Sequence, residues 1–371
     1  MAETAASGSE ASVKQQGIVR DLRRKIINGR FPPGSQLPSQ AELARHYDVC
    51  RVTAQRAVQH LERTGHIDIR HRVGAFVVEH PPHLYQIGLG FGTPEEKSRR
   101  LSFHNLLRAE FERAIRRERK ENGTQWGLSC YYGQHGFVDP ADRRPLVEAA
   151  RKHQLAALIL LSDFQFVAEP LGSLPEPPLK ISFGKMPGMV CMDIHNNEAF
   201  YSKALDYLAG RGRRRVGFVL CSEGGGSYEG TYAGVAEMVG DHGLTTRPWW
   251  VQGGTFDMKE WVAHGAEAML HCAEADRPDA LIIRDDNFVP AVTARLQHIG
   301  LEFPADVEIV AHCNYPEPTP SAVPAVRLGY DVREVVRRCF DLLRRNRMGE
   351  DLPEEMSIQP VFQQERNRRS G

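Results

Sequence analysis

Long hydrophobic runs are missing from this sequence of 371 residues. The longest apolar run is LAALILL at residues 155–161, far shorter than the roughly 20 residues that a membrane-spanning helix needs. The first 17 residues, MAETAASGSEASVKQQG, have no apolar core of the kind found in secretion signals. We therefore expect a soluble, cytoplasmic protein with no membrane partner.

Paired cysteines are also missing. The seven cysteines occur singly, their number is odd, and no two of them form a C-x-x-C pair. This pattern excludes a regular disulfide framework and favours reduced thiols over a zinc site. We therefore expect neither a metal nor a cofactor. The seven residues are Cys50, Cys130, Cys191, Cys221, Cys272, Cys313 and Cys339.

Motifs typical of enzymes are equally scarce. The glycine-rich loop CSEGGGSYEG at residues 221–230 lacks the G-K-[ST] ending of a phosphate-binding loop, and it is not the G-x-G-x-x-G of a dinucleotide site. A G-x-S-x-G nucleophile elbow does not occur. We interpret the loop as part of a ligand site and expect the protein not to be an enzyme.

Charge is balanced over the whole chain but not along it. The sequence has 47 basic and 47 acidic residues, yet residues 11–78 hold 12 Lys and Arg against 5 Asp and Glu. A basic excess confined to one segment indicates an anionic partner for that segment.

The basic segment has the pattern of three helices and a hairpin. Apolar residues at helical spacing in residues 13–27 predict the first helix, and Ser39 with Glu42 forms a capping box that predicts the second. A third helix is predicted over residues 51–63 with Val52 facing inward, and alternating apolar residues predict a hairpin that follows it. We therefore predict a winged helix-turn-helix at residues 12–78, after a disordered tail at residues 1–11.

The remainder of the chain alternates strands with helices. A proline-marked linker, EHPPHLY, covers residues 79–85, and short apolar runs then alternate with amphipathic segments. This alternation indicates a doubly wound parallel sheet, because such strands are buried on both faces. Two runs, at about residues 84–185 and 190–365, predict an α/β sensor domain of two lobes over residues 86–365. A small ligand is expected between the lobes, at the carboxyl ends of the strands.

The N-terminal motifs resemble those of the GntR family of bacterial transcription regulators. The sequence LPSQAELA is similar to the family's L-P-S-E-x-x-L-A, and VCRVTAQRA is similar to V-S-R-x-T-V-R-x-A. The resemblance continues through L-x-x-x-G-x-I into a wing that ends in GAFV. The matching positions are Gly34, Leu37, Pro38, Ser39, Leu43, Ala44, Val49, Arg51, Thr53, Ala57, Leu61, Gly65, Ile67, Gly74, Phe76 and Val77.

This resemblance implies binding to double-stranded DNA through a recognition helix and a wing. The helix would present its amino end and its arginine and glutamine side chains to the major groove, and the wing would reach the minor groove. Three residues depart from the family pattern: Cys50 replaces Ser or Thr, Gln55 replaces Arg, and Arg72 replaces Gly. The DNA-binding residues implied are Ser39, Gln40, Cys50, Arg51, Thr53, Gln55, Arg56, Arg70, His71, Arg72 and Gly74.

The C-terminal part resembles the LacI/GalR sensor domain, which has the fold of periplasmic binding proteins. RPDALIIRDDNF and LEFPADVEIVAH are similar to the family's P-D-A-I-x-x-x-N-D and V-P-x-D-V-x-V-V-G. The resemblance implies an effector held by polar side chains and an aromatic ring. Thr231 and Cys313 stand where sugar-binding members have Arg and Asp, which puts an ordinary hexose in doubt. The effector residues implied are Phe91, Phe103, Glu223, Tyr228, Phe256, Asp285, Asp286 and Asn314.

Together these features predict an arabinose-repressor-like transcription regulator. We expect a homodimer that binds an inverted-repeat operator, acts as a repressor, and is controlled by a small polar ligand such as a sugar. A regulator with a degenerate pocket that responds to a protein or phosphorylated partner is the alternative. A ligand-processing α/β enzyme with a DNA-binding appendage is a less favoured one.

Overall fold

The computed structural model confirms the predicted fold class, an α/β protein with an N-terminal winged helix. The chain divides into two compact units, each made of several segments. No helix in the described part of the chain is both long and apolar enough to span a membrane. The structure describes residues 2–27, 29–79, 81–82, 86–122, 126–133, 137–152, 154–161, 165–174, 177–194, 197–221 and 228–370.

The winged helix is built from three helices and a two-stranded hairpin. Helices α1 (Ala2–Ile27), α2 (Gln40–His46) and α3 (Arg51–Arg63) are followed by strands β1 (Ile67–Arg70) and β2 (Gly74–Val77). The two strands pair antiparallel. The apolar stripes of the three helices and the inner face of the hairpin form one core, which explains how so short a segment buries enough apolar surface to fold.

Polar contacts fix the helices of this domain. The Ser39 hydroxyl accepts a hydrogen bond from the Glu42 amide at 3.3 Å, and the Glu42 carboxylate accepts one from the Ser39 amide at 2.8 Å. This capping box satisfies two backbone donors at the start of α2. The Tyr47 hydroxyl donates to the Asp21 carboxylate at 2.5 Å, which joins the end of α2 to α1.

Two sequence predictions for this domain are wrong in detail. Residues 1–11 were expected to be a disordered tail, but α1 already begins at Ala2; the alanines of this stretch favour extension of an existing helix. Val52 was expected to face inward, but its side chain is 53% exposed, whereas Ala54 is fully buried. The stripe Ala54, Ala57, Val58 and Leu61 turns toward the core, so Val52 lies on the opposite side of α3.

Beyond the winged helix, strands and helices alternate along the chain, and two further short strands occur near the carboxyl end. In chain order they are β3 (Gln86–Phe91), α4 (Glu95–Ser98), α5 (Ser102–Asn122), β4 (Gly127–Tyr132), α6 (Pro140–Arg151), β5 (Leu155–Leu160), α7 (Gln165–Gly172), β6 (Leu179–Ser182), β7 (Val190–Asp193), α8 (Asn197–Gly210), β8 (Val216–Cys221), α9 (Tyr228–Asp241), β9 (Val251–Gly254), α10 (Lys259–Leu270), β10 (Ala280–Ile283), α11 (Val289–Leu296), β11 (Glu308–Tyr315), β12 (Val326–Asp331), α12 (Val332–Met348), β13 (Glu355–Ser357), β14 (Val361–Phe362) and α13 (Gln363–Ser370).

Unit 1 comprises Met1–Ser98, Phe111–Asp193 and Val336–Met356. Its sheet has the strand order β13-β7-β6-β5-β3-β4, and the pairs from β7 through to β4 are parallel. Every residue of β5 is buried, as expected for a parallel strand that is covered on both faces.

Unit 2 comprises Arg99–Glu110, Ile194–Val335 and Ser357–Gly371. Its sheet has the order β14-β12-β11-β10-β8-β9, with only β14 antiparallel. Alternate residues of β10 enter two core clusters, Leu281 and Ile283 in one and Ala280 and Ile282 in the other. The sheet is therefore packed on both faces, and its strands end at an edge that can carry a site.

Sequence patterns missed several elements of this fold. The short strands β6, β12, β13 and β14 and the helix α7 were not predicted. The two lobes were also expected as consecutive runs, whereas each unit takes in a distant segment of the chain. A short strand beside prolines carries too weak a periodicity to be recognised.

Gly329 is the tightest packing point between two central strands of unit 2. A Cβ atom added at Gly329 of β12 would lie 1.7 Å from the Cys313 carbonyl oxygen of β11. A backbone neighbour cannot move aside as a flexible side chain can, so we expect Gly329→Ala to lower the free energy of unfolding by about 3 kcal/mol or more. Urea unfolding followed by tryptophan fluorescence measures this, since Trp249, Trp250 and Trp261 all belong to unit 2.

Gly240→Ala in α9 is the matched control, because no atom lies within 4 Å of a Cβ placed there. It should raise the stability by up to about 1 kcal/mol, the helix propensity difference between the two residues. Equal urea midpoints for the two variants would contradict the packing assigned to Gly329.

Candidate functional site

Helix α3, the predicted recognition helix, exposes a largely polar face. Arg51, Gln55 and Arg56 are exposed, and Val52 lies beside them with 53% of its surface accessible. Arg51 and Gln55 are four positions apart, as are Val52 and Arg56, so each pair lies on the same side of the helix and the two pairs form adjacent rows near its amino end, which a DNA groove can accept. The four side chains offer two guanidinium groups, one amide and one apolar contact.

Cys50 and Thr53 interact with each other at the start of this helix. Cys50 is the N-cap residue and is exposed, and its sulfur lies 3.2 Å from the Thr53 hydroxyl. Thr53 itself is only 8% exposed. The hydrogen bond from Thr53 lowers the pKa of the Cys50 thiol. In this arrangement the Thr53 hydroxyl is directed to the thiol, so its predicted contact with phosphate remains a prediction.

The wing presents its basic residues at and near its tip. The Arg70 guanidinium lies over the Phe76 ring at 4.4 Å and 3.4 Å from the Asp68 carboxylate, so it is held along the strand. His71 and Arg72 are exposed at the turn. Arg72 has a φ of 62°, a left-handed conformation that glycine adopts more easily. This explains in physical terms why glycine fits the same position in the GntR pattern.

Gly74 and Ser39 have structural roles in the same region. A Cβ at Gly74 would lie 2.4 Å from the Gln36 amide nitrogen, which donates to the Val73 carbonyl at 2.9 Å. Because Gly74 has no side chain, the Gln36 side chain can extend across the wing and hold its tip through this hydrogen bond. Ser39 caps α2, and Gln40, the first residue of that helix, is exposed.

Two exposed apolar residues on this surface were missed by sequence reasoning. Val52 on α3 and Val73 at the wing tip are 53% and 59% exposed. Val52 had been assigned to the core because it is apolar and near the helix start. Both lie among the basic residues that face outward, where an apolar group can contact a thymine methyl or the floor of a narrow groove.

The carboxyl-end edge of the unit 2 sheet contains a buried carboxylate, Asp286. Its side chain is 2% exposed and accepts hydrogen bonds from the Ser102 hydroxyl at 2.5 Å and the Asn314 amide at 2.8 Å. The Asn287 side-chain amide lies 3.4 Å from the other carboxylate oxygen, and the Thr319 hydroxyl donates to the Asp286 carbonyl at 2.9 Å. Asp286 and Asn314, both predicted effector residues, are thus brought into direct contact.

Burial and, after it, the neighbouring charge of Asp285 raise the pKa of Asp286 to about 6, although the hydrogen bonds from Ser102 and Asn314 act in the opposite direction. Asp285 is more exposed and accepts from the Asn287 backbone and side-chain amides at 2.9 and 2.8 Å. The two adjacent acids therefore have different environments: Asp286 is enclosed and Asp285 faces outward.

A cavity of about 1140 Å³ opens beside Asp285. Residues at the carboxyl ends of β8 and β10 and on α8 and α9 line it, and Asp286 is not among them. Its charged lining comprises Glu198, Glu237, Asp241, Asp285, Arg284 and His242. The cavity is thus predominantly acidic, with one arginine.

Arg284 was missed by sequence reasoning, although it directly follows β10. Its guanidinium lies 4.5 Å from the centre of the Phe200 ring and donates to the Asn197 side chain at 2.9 Å. Its buried Nε atom has no hydrogen-bond partner in the described part of the chain. Arg284 also lines the cavity, and the sequence signal for it is a charged residue immediately after a buried strand.

The predicted aromatic effector residues fall in different places. Phe256 packs against Phe288 at 6.1 Å, next to Asn287, and Phe103 follows Ser102 on α5. Phe91 is fully buried in unit 1 and stacks on Tyr132 at 5.2 Å. Tyr228 is the first residue of α9. Glu223 lies outside the described residues.

Asp286 should make the stability of unit 2 depend on pH. The folded protein keeps this proton between about pH 4 and pH 6, where the unfolded chain has released it, so the stabilising contribution is present at low pH and is lost as pH rises through about 6. Asp286→Asn keeps an acceptor oxygen but removes the titration. The stability of the wild type relative to this variant should fall by up to about 3 kcal/mol between pH 4 and pH 7.

Urea unfolding at a series of pH values measures this difference. Asp241→Asn, at an exposed position, is the control and should show a flat difference. Parallel curves for wild type and Asp286→Asn would contradict the raised pKa.

Comparison with known proteins identifies both parts of the chain. Residues 14–77 match the family model of bacterial regulatory proteins, gntR family, and residues 205–367 match the model of a periplasmic binding protein-like domain. A fatty acid metabolism regulator protein from Pasteurella multocida (strain Pm70) is 41% identical over 63 residues, 17% of this chain. The match covers 24% of that relative, so the chain spans about a quarter of the length of this curated protein.

Solved structures share the fold of the larger part. A LacI family transcriptional regulator from Lactobacillus casei with bound glucose has a TM-score of 0.55 at 18% identity, over 75% of this chain and 98% of that one. The complex of transcriptional regulator CelR with cellobiose has a TM-score of 0.56 at 16% identity, over 88% and 98%. The chain thus carries a gntR-family DNA-binding domain followed by a periplasmic-binding-protein-like domain, as the two sequence resemblances predicted.

Proposed function

We propose that this protein is a transcription regulator whose affinity for DNA is controlled by a small molecule bound in unit 2. The observation that carries the proposal is the exposed face of α3, with Arg51, Gln55 and Arg56 on a gntR-family domain. The fused periplasmic-binding-protein-like domain, with its cavity of about 1140 Å³ at the ends of two strands, supports the control by a ligand.

The proposed reading of DNA assigns a different role to each group. Arg51 and Arg56 suit guanine or phosphate, Gln55 suits adenine, and Val52 suits a thymine methyl group. Arg72, His71 and Val73 at the wing tip would enter the neighbouring minor groove. Phosphate contacts would set the register, and the α3 side chains would distinguish the bases.

We further propose a homodimer that binds an inverted repeat. One winged helix makes too few base contacts for selective binding, and a two-fold axis pairs two half-sites. A second copy would bind through the sensor part. The exposed Trp249, Met258 and Trp261 in unit 2 support this, being 41%, 43% and 70% accessible, because large exposed apolar side chains mark interaction surfaces.

The effector that fits the cavity best is a neutral polyhydroxy compound, such as a sugar. The carboxylates of Asp285, Glu198 and Glu237 accept hydrogen bonds from hydroxyl groups, and the Arg284 guanidinium donates to them. The acidic excess disfavours an anion. The neighbours described as bound to glucose and to cellobiose suggest the same class.

The effector would act by changing the relative stability of two states of the dimer. A ligand alters DNA affinity only as far as it binds those states unequally. We propose that DNA is bound in the ligand-free state and released when the ligand binds, which makes the protein a repressor.

Loss of the Arg51 side chain should remove sequence selectivity rather than the fold. Arg51→Ala should weaken binding to the selected operator at least about tenfold relative to random DNA, because a bidentate arginine–guanine contact is worth about 1–3 kcal/mol. Arg72→Gly, which relieves the left-handed strain, should weaken both kinds of DNA similarly and reduce the salt dependence by about one phosphate contact. Operator selection from random DNA, followed by titration at several salt concentrations, measures both.

Arg63→Ala at the far end of α3 is the control, since Arg63 is exposed in the last turn. Its binding should match the wild type. If Arg51→Ala and Arg63→Ala have equal effects, α3 is not the recognition helix.

Arg284 should be required for effector binding. We expect Arg284→Met to weaken binding of the responsive sugar at least about tenfold, since a hydrogen bond from a charged donor is lost, while operator affinity without ligand is unchanged. Calorimetry with glucose, cellobiose and a polyol panel identifies and measures the ligand. Arg247→Met, outside the cavity, should bind as the wild type does. Failure of the whole panel would favour the alternative, a degenerate pocket that responds to a protein or phosphorylated partner.

A further inference from the structure

A second cavity lies in unit 1, at the amino ends of β6 and β7. Its volume is about 820 Å³, within the range of about 300–1,000 Å³ that is usual for small-molecule sites. Much of its wall is apolar, with prolines, methionines and a leucine, among them Pro177, Met186, Met189 and Leu352. The cavity is therefore suited to the apolar body of a ligand.

Lys180 is the unusual member of this lining. It lies within β6, between two buried residues, and is itself half-buried. In the sheet register it pairs with Leu158, which belongs to the core cluster that includes Met189. The stem of Lys180 is thus placed among core residues, and only its ammonium end is available to the cavity.

The Lys180 ammonium group makes no ion pair or hydrogen bond with the residues that the structure describes. Three other charged residues line the cavity: Lys185 is paired with Glu355 at 2.8 Å, and Glu354 is exposed. A Cβ atom at Gly188 would lie 3.8 Å from the Lys180 nitrogen. Gly188 has a φ of 70°, so glycine is favoured there and leaves the approach to the ammonium open.

An unpaired cation in this position is costly. Burial lowers the pKa of Lys180, and no carboxylate contributes an opposing effect. A half-buried lysine without a partner destabilises the fold, because its charge has lost water and gained nothing in return. An apolar residue at this position of the strand would avoid that cost, so the charge is expected to serve a ligand.

We propose that the unit 1 cavity binds a small carboxylate with an apolar body, whose carboxylate pairs with Lys180. The Asn346 side chain, which lines the same cavity, would offer a second hydrogen-bond donor. The apolar wall disfavours a polyhydroxy compound. This site is separate from the unit 2 cavity and differs from it in charge, because its two lysines are balanced by Glu354 and Glu355, whereas the lining in unit 2 is predominantly acidic.

Two monocarboxylates with different bodies test the proposal: octanoate, which is flexible, and 3-phenylpropionate, which is rigid. Calorimetry on the full chain should show saturable binding of at least one of them, and the corresponding alcohol should bind at least about tenfold more weakly, because it cannot form the charged pair. Lys180→Met should also weaken the acid at least about tenfold, while Lys180→Arg should retain binding. The thermal midpoint of Lys180→Met should not lie below that of the wild type, because the substitution removes an unpaired charge. A loss of binding in this variant would therefore not result from unfolding.

Lys152→Met is the matched control, because Lys152 is an exposed lysine of the same unit after α6, and it should bind as the wild type does. Arg284→Met, in the other cavity, should bind the acid normally, so this result is independent of the proposed sugar site. The proposal is overturned if neither acid binds saturably, if Lys180→Met binds as tightly as the wild type, or if Arg284→Met rather than Lys180→Met abolishes binding.

Discussion

The buried carboxylate of Asp286 joins two of the three segments of unit 2. Ser102 belongs to the segment Arg99–Glu110, which precedes the main part of the unit by more than eighty residues, yet its hydroxyl and its backbone amide bond Asp286 and Asn287. Asn314 of β11 binds the same carboxylate. A single buried acid thus joins an early segment, the end of β10 and the neighbouring strand, and without these donors its burial would be strongly unfavourable.

This constraint determines which neighbouring side chains face the cavity. The Asp286 carboxylate is used within the protein, and the two residues that precede it, Arg284 and Asp285, line the cavity. Asp285 is held by the Asn287 amides, and the buried Nε of Arg284 has no hydrogen-bond partner among the described residues. Two adjacent acids of the same sequence motif therefore have different environments, since one is enclosed and supports the geometry and the other lines the cavity.

The sequence predicted the winged helix well, because its signals are local. Capping at Ser39, the apolar stripe of α3 and the alternation in the hairpin each depend on residues close in the chain, and α3 has the predicted bounds, 51–63. Features that depend on tertiary contacts were not predictable. The exposure of Val52, the enclosure of Asp286 and the role of Arg284 follow from which segments meet, and so do the discontinuous units. Aspartates 285 and 286 are indistinguishable until Ser102 is placed beside one of them.

The net charge of zero results from two parts of the chain with opposite charge. Residues 11–78 carry an excess of seven basic residues, which favours the approach to a polyanion, whereas the remaining chain is acidic by the same amount and has an acidic cavity in unit 2. An acidic sensor part disfavours contact with DNA phosphates, which supports the proposal that the winged helix makes the DNA contacts. The acidic lining of the unit 2 cavity disfavours small anions, whereas Lys180 in the unit 1 cavity has no ion pair among the described residues, which supports the carboxylate site proposed there. Under these proposals, charge separates three kinds of ligand over one chain: DNA at the winged helix, neutral hydroxyl compounds in unit 2 and carboxylates in unit 1.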